Sequence, residues 1–252
     1  MKFKAVCAAY IYAGMLFSGT ALAGPADYVY TPKVEQGEKE IDFKLGSAKD
    51  GEGIRQQAFS IGLGYGTTER WFTELYVKYQ REGAENNHLD AFEWENKFQL
   101  TETGEYPVDI GLITEIEKPH RNGEPSFEFK FGPLLQTDIG KLQLNANLLF
   151  ERKFRGHDED PSVQHHTEIG YQWQIKYRWL RAFEYGLQGF GEMGKWNDWD
   201  SHDLQNHRLG PAVFGKLPMG HHQAINYNAA WLIGTTPAAP DHTFRMQAEY
   251  EF

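Results

Sequence analysis

One cysteine occurs in 252 residues, Cys7, and it lies in an apolar run near the N-terminus with no small-residue box before it that would make it a lipid attachment site. Once that leader is removed, the chain has no thiol, which excludes disulfide staples and cysteine chemistry. After the leader no apolar run approaches the ~20 residues that a membrane-spanning helix needs, and the mean hydropathy is −0.60. Serine is sparse, which leaves few nucleophiles for a hydrolase. Basic residues are in deficit: 25 Lys and Arg stand against 35 Asp and Glu, a net charge of −10. An acidic chain of this kind is a poor partner for nucleic acid.

The N-terminus carries Lys2 and Lys4, an apolar stretch from Ala5 to Phe17, and then Ala21-Leu22-Ala23. This is the pattern of a secretory signal cut after Ala23, so residues 1–23 are read as a leader. Its removal takes away two lysines and no acid, and the net charge becomes −12. Low hydropathy without a helical span fits a soluble exported protein. It fits a membrane β-barrel equally well, because only every second strand residue must face lipid. Aromatic residues at 15%, with seven Trp and thirteen Tyr, favour the barrel. Trp and Tyr gather at membrane interfaces.

The last stretch, His242 to Phe252, alternates without a fault. Phe244, Met246, Ala248, Tyr250 and Phe252 fall on one face, and Arg245, Gln247, Glu249 and Glu251 on the other. Period two with one apolar and one wet face marks a strand. A strand of alternating hydrophobes that ends on a C-terminal Phe resembles the last strand of Gram-negative outer-membrane β-barrels. The resemblance implies that barrel-assembly machinery reads this strand, and that outer-membrane lipid and lipopolysaccharide surround the folded chain.

The same alternation recurs back through the chain. Strands are expected at Lys39–Leu45, Gln57–Tyr65, Arg70–Gln80, Leu89–Leu100, Tyr106–Glu117, Ser126–Gln136, Lys141–Arg152, His166–Arg178, Arg181–Met193, Asn206–Leu217 and His222–Gly234, with His242 opening the twelfth. Connections alternate short and long, as periplasmic turns and outer loops do, and an even strand count brings both termini to the periplasmic side. The expected fold is therefore all-β, a 12-stranded antiparallel transmembrane barrel over residues 39–252. Residues 24–38, with two prolines and no clean period, are read as a periplasmic lead-in that could fold against the barrel mouth. Pro133 and Pro211 each follow a glycine inside an expected strand, and bulges are expected there.

Charged side chains facing lipid would cost ~2–4 kcal/mol each near the midplane for Arg or Lys, so the strand charges must point inward. The expected lumen charge filter is Glu74, Lys78, Glu93, Glu95, Lys97, Glu115, Glu117, Glu128, Lys130, Glu184, Arg245 and Glu249. Acid excess in a water-filled bore would favour cations or neutral polar solutes over anions. Twelve strands lie between the ~8 that leave a filled interior and the ~16 that leave an open pore. Inward glycines at Gly62, Gly64, Gly111, Gly170 and Gly186 leave room in it. The expected function is a narrow passive channel for small solutes, without cofactor. A closed structural or adhesive barrel is the alternative, and a lipid-modifying hydrolase a further one. Ser201 beside His202, or Ser162 near His165, would have to serve that hydrolase. His157, His165, His166 and His202 in the outer loops are weak metal candidates, since none shows compact ligand spacing.

Overall fold

Alternation makes a simple demand. One side of each ribbon is apolar and the other polar, and a closed antiparallel ring lets the polar sides share one interior while leaving no unpaired edge. The computed structural model describes residues 24–121, 123–157, 163–220 and 223–252, and these form such a ring. Its strands are β1 Lys39–Lys49, β2 Arg55–Thr68, β3 Trp71–Glu82, β4 His88–Gln99, β5 Asp109–Pro119, β6 Phe127–Ile139, β7 Leu142–Phe154, β8 Thr167–Leu180, β9 Phe183–Lys195, β11 Asn206–Gly220, β12 Gln223–Gly234 and β13 His242–Glu251. A two-residue strand, β10 Asp198–Trp199, folds back and pairs antiparallel with the end of β9. Each of the twelve long strands pairs antiparallel with its neighbours. The seam closes where β13 meets β1, from Glu40 opposite Glu251 to Lys49 opposite His242. The Phe252 N–H donates to the Lys39 carbonyl, so β1 begins and β13 ends at one mouth, called here the terminal end. The expected leader lies outside the described residues.

Two expectations need correction. Pro133 and Pro211 cause no bulge. The register of β6 with β7 and of β11 with β12 continues unshifted past each Gly-Pro, and only the ladder contacts opposite the dipeptide are missing. The missing side chain of the glycine explains this. A Cβ at Gly132 would lie 1.9 Å from the Leu148 carbonyl oxygen, and one at Gly210 would lie 1.9 Å from that of Trp231. The neighbouring strand closes over each glycine where proline offers no donor. Register shifts fall elsewhere, for example between Gly66 and Thr68. Second, β5 opens at Asp109 rather than Tyr106, and residues 100–108 form a longer connection than a tight turn. Pro107 has no N–H for the ladder. Asp109 and Thr101 side chains cap the connection by accepting from the Gly104 and Ile110 N–H groups.

The outer face is apolar all round: Leu63, Leu75, Trp94, Phe131, Leu148, Tyr185 and Trp231 are exposed there. Cross-strand aromatic pairs reinforce it, with Phe127 stacked on Phe154 at 4.3 Å and Phe131 on Phe150 at 5.4 Å. Such pairs contribute beyond their buried area. Leu63 is 66% exposed and lies opposite Ile41 and Leu75 within the outer band. Leu63→Arg is therefore expected to lower folding stability in a bilayer by ~2–4 kcal/mol. Denaturant-dependent folding into vesicles measures it. An unchanged free energy would mean that this face does not meet acyl chains.

Candidate functional site

The inward residues form linked polar patches on the wall. Lys78 bonds Glu93 at 3.1 Å and also Glu117. Lys130 lies 3.0 Å from Glu115 and 3.7 Å from Glu151. Glu128 joins Glu115, Glu117, Lys130 and Glu151 around a water-sized cavity. Lys176 meets Glu184 at 3.2 Å. Glu249 accepts from Gln247 at 2.9 Å, and Gln247 donates at 2.9 Å to Asp42. Arg245 donates to Gln188 and Asn228 and is 1% exposed. Lys97 stands over the Phe72 ring at 4.9 Å. Glu74 is buried, with one carboxylate oxygen lacking a hydrogen-bond partner. All twelve expected filter residues thus belong to the interior. The ion pairs named here join strands one or two places apart around the ring, and the longest reach is that of Arg245 on β13 to Gln188 on β9, three places away.

What crosses the lumen is the lead-in. Pro25, Ala26, Tyr28, Val29, Tyr30, Pro32 and Val34 are buried inside the ring. An extended chain sends successive side chains to opposite sides. Tyr28 and Tyr30 accordingly pack with Ile113, Leu134 and Leu149 on one wall, and Val29 with Phe190, Ala212, Phe214, Ala230 and Leu232 on the other. The Tyr28 hydroxyl donates to Glu95 at 2.9 Å, and the Tyr30 hydroxyl donates to Glu115. Backbone groups are met as well. Gln172 accepts from the Tyr30 N–H at 3.3 Å, Asn147 donates to the Tyr30 carbonyl at 3.0 Å, and Gln99 accepts from the Val34 N–H at 2.9 Å. Lys44 lies between the Tyr28 and Tyr76 rings, 3.8 Å and 3.6 Å from their centroids, a cation–π arrangement.

Glycines give this strap its bed. A Cβ on Gly46 would stand 1.9 Å from the Pro25 carbonyl oxygen, one on Gly66 1.9 Å from that of Glu35, and one on Gly111 2.8 Å from the Pro32 Cβ. The room expected at Gly111 exists, and Pro32 occupies it. At the terminal end the strap turns on Gly37, whose φ of 78° favours glycine. There Gly37 N–H donates to the Gly66 carbonyl and Gly66 N–H to that of Glu38. Burial, and then the charge of Glu251, raise the Glu38 carboxyl to about 7. Sequence reasoning missed Tyr28, Tyr30, Gln99, Asn147, Gln172 and Gly46. The one legible hint was a pair of tyrosines between two prolines in a stretch with no period of its own.

The outer-loop candidates do not converge. His165 lies against the Lys153 carbonyl at 3.2 Å, His166 pairs with Glu168 at 3.3 Å, His202 is 3.9 Å from Asp203, and His157 is exposed. Among the described residues no group of three or more His, Cys, Asp or Glu is placed to hold a metal ion. Ser201 and His202 share an exposed loop, and Ser162 lies outside the described residues.

No protein-family model matches the chain, and no curated protein matches its sequence. Solved structures do match its shape. The COG4313 outer membrane channel from Pseudomonas putida F1 superposes with a TM-score of 0.60 at 12% identity, over 91% of this chain and 98% of that one. The NanC porin gives 0.52 at 9% identity, over 85% and 98%. The transport unit of the autotransporter AIDA-I from Escherichia coli gives 0.50 at 9% identity, over 86% and 90%. With its closed antiparallel ring, its apolar belt and its charges turned inward, the chain has the fold of the outer-membrane β-barrels on which it superposes.

Proposed function

We propose that the chain is a narrow passive channel for small polar or cationic solutes. One observation carries the reading: the ion pairs run along the wall between strands one or two places apart, and among the described residues the segment that spans the lumen is a strap outside the β-ladder. A ring so lined would hold water once the strap moved. Flux would then follow the gradient, with Glu93, Glu117, Glu128 and Glu151 disfavouring anions at the mouth opposite the termini. In this reading the leader is removed on export, and both termini face the periplasm. The strand ending on Phe252 is handed to the assembly machinery, lipopolysaccharide borders the outer half, and no cofactor takes part.

A closed structural barrel is the second reading. It is favoured by the mid-height layer, where Asp42 and Ile113 are 0% exposed and Gln188 and Leu232 1%. Conductance of the purified protein in a planar bilayer separates the two. A channel gives unitary currents with a reversal potential on the cation side under a salt gradient. Changing Glu93, Glu117, Glu128 and Glu151 together to Gln is expected to abolish that preference, because Lys78 and Lys130 then dominate the mouth. Selectivity unchanged in this variant would remove the filter assignment, and silence under all conditions would leave the structural barrel.

A further inference from the structure

We propose that Pro25–Val34 is a resident gate, seated in a bed built for it on the barrel wall, whose displacement opens the lumen. The inference deepens the channel reading and rests on it. Three features separate a gate from a permanent filling. The first is attachment. The five bonds described above between Tyr28, Tyr30 or Val34 and the wall use side chains of Glu95, Glu115, Gln172, Asn147 and Gln99, so the strap can leave without breaking a strand pair. The second is the hinge. Gln36 and Gly37 are exposed, Gly37 has a positive φ, and from the Gly37 N–H onward the backbone is pinned to Gly66.

The third feature is fit on both sides. Tyr28 and Tyr30 take one wall and Val29 the other, so a single extended stretch reaches both sides of the lumen. Gly46 and Gly111 lie on different strands, and each lacks a side chain where the strap backbone or ring passes. Amide side chains of Gln99, Asn147 and Gln172 satisfy strap backbone groups that would otherwise be buried without partners, an arrangement that is costly to leave unmade. Wall acids then remain in place for a permeating cation when the strap departs.

The test uses three variants of the full chain in planar bilayers, each first checked for barrel formation by heat-modifiable gel mobility. Deleting residues 25–34 keeps the expected cleavage site at Ala23 and removes the strap. Tyr28→Phe with Tyr30→Phe keeps the strap and removes two donors, so the variant remains informative if the deletion does not fold. Pro32→Cys with Gly111→Cys ties the strap down. The Pro32 Cβ lies 2.8 Å from the Gly111 Cβ position, a small shift from the ~3.5–4.5 Å that a disulfide takes. Expected are rare openings in the parent, steady conductance in the deletion, and an open-to-closed ratio raised about tenfold or more by the loss of two hydrogen bonds. The oxidised cysteine pair should be silent and recover on reduction. Equal currents from the parent, the deletion and the oxidised pair would overturn the gate and leave the channel standing. No current from any folded variant, the deletion included, would overturn the channel reading and the gate with it.

Discussion

Lys130→Met is expected to lower the unfolding free energy by about 3–5 kcal/mol, the usual result of removing one partner from a buried ion pair. Its ammonium sits between Glu115 and Glu151, and the three side chains are 12%, 3% and 6% exposed. Without it two carboxylates stay buried in a cavity that Glu117 and Glu128 already line. Tyr30 still donates to Glu115, but nothing named replaces the cation. The measurement is denaturant unfolding in detergent or bilayer. The double variant Lys130→Met with Glu151→Gln should recover part of the loss, because one of the stranded charges is gone. A loss under ~1 kcal/mol is the signature of a solvated surface pair. It would mean that water reaches this part of the lumen in the folded state.

Gly46→Val is expected to unseat the strap while leaving the ring intact. The new Cβ would fall 1.9 Å from the Pro25 carbonyl oxygen and 2.5 Å from the Ala26 nitrogen, and these are backbone atoms that no rotamer change can move aside. Overpacking of this kind typically costs ~1–3 kcal/mol where the surroundings can adjust. The strap can adjust by leaving, since its hold is a handful of side-chain bonds. Labelling reads the outcome without reference to current. Cys7, within the expected leader, is the only natural cysteine, so Ala26→Cys in a Cys7→Ser background gives a single site, buried in the parent conformation. Maleimide should modify it slowly in that background and about tenfold or more faster when Gly46→Val is added, by the same energy. Equal rates would show that the strap stays seated and that the bed is not specific.

Alternation carried the strand assignments because the two environments differ so sharply. Leu63, Leu75 and Trp94 stand exposed on the outer face, while Glu74, Glu93 and Glu95 are buried inside the ring. Strand ends were harder to place. Pro107 held β5 back to Asp109, and the Gly-Pro pairs were absorbed by a close strand approach where a bulge was expected. Local sequence names the residue but not the neighbour that closes over it. The inward charges were legible as a set, yet their grouping was not. Lys130 reaches Glu115 on β5 and Glu151 on β7, a pairing fixed by register around the ring.

Residue order alone specifies a ring of strands with an apolar outside and a charged inside, because a period of two is a purely local property of an extended ribbon. What fills the middle follows from long-range packing. The strap has no period to read. Its partners Glu95, Glu115, Asn147 and Gln172 lie 67 to 142 residues away, and an inward glycine looks the same in sequence whether water or a proline ring occupies its space. Closure of the ring brings these groups together, and it is closure that makes Pro25–Val34 part of the lumen.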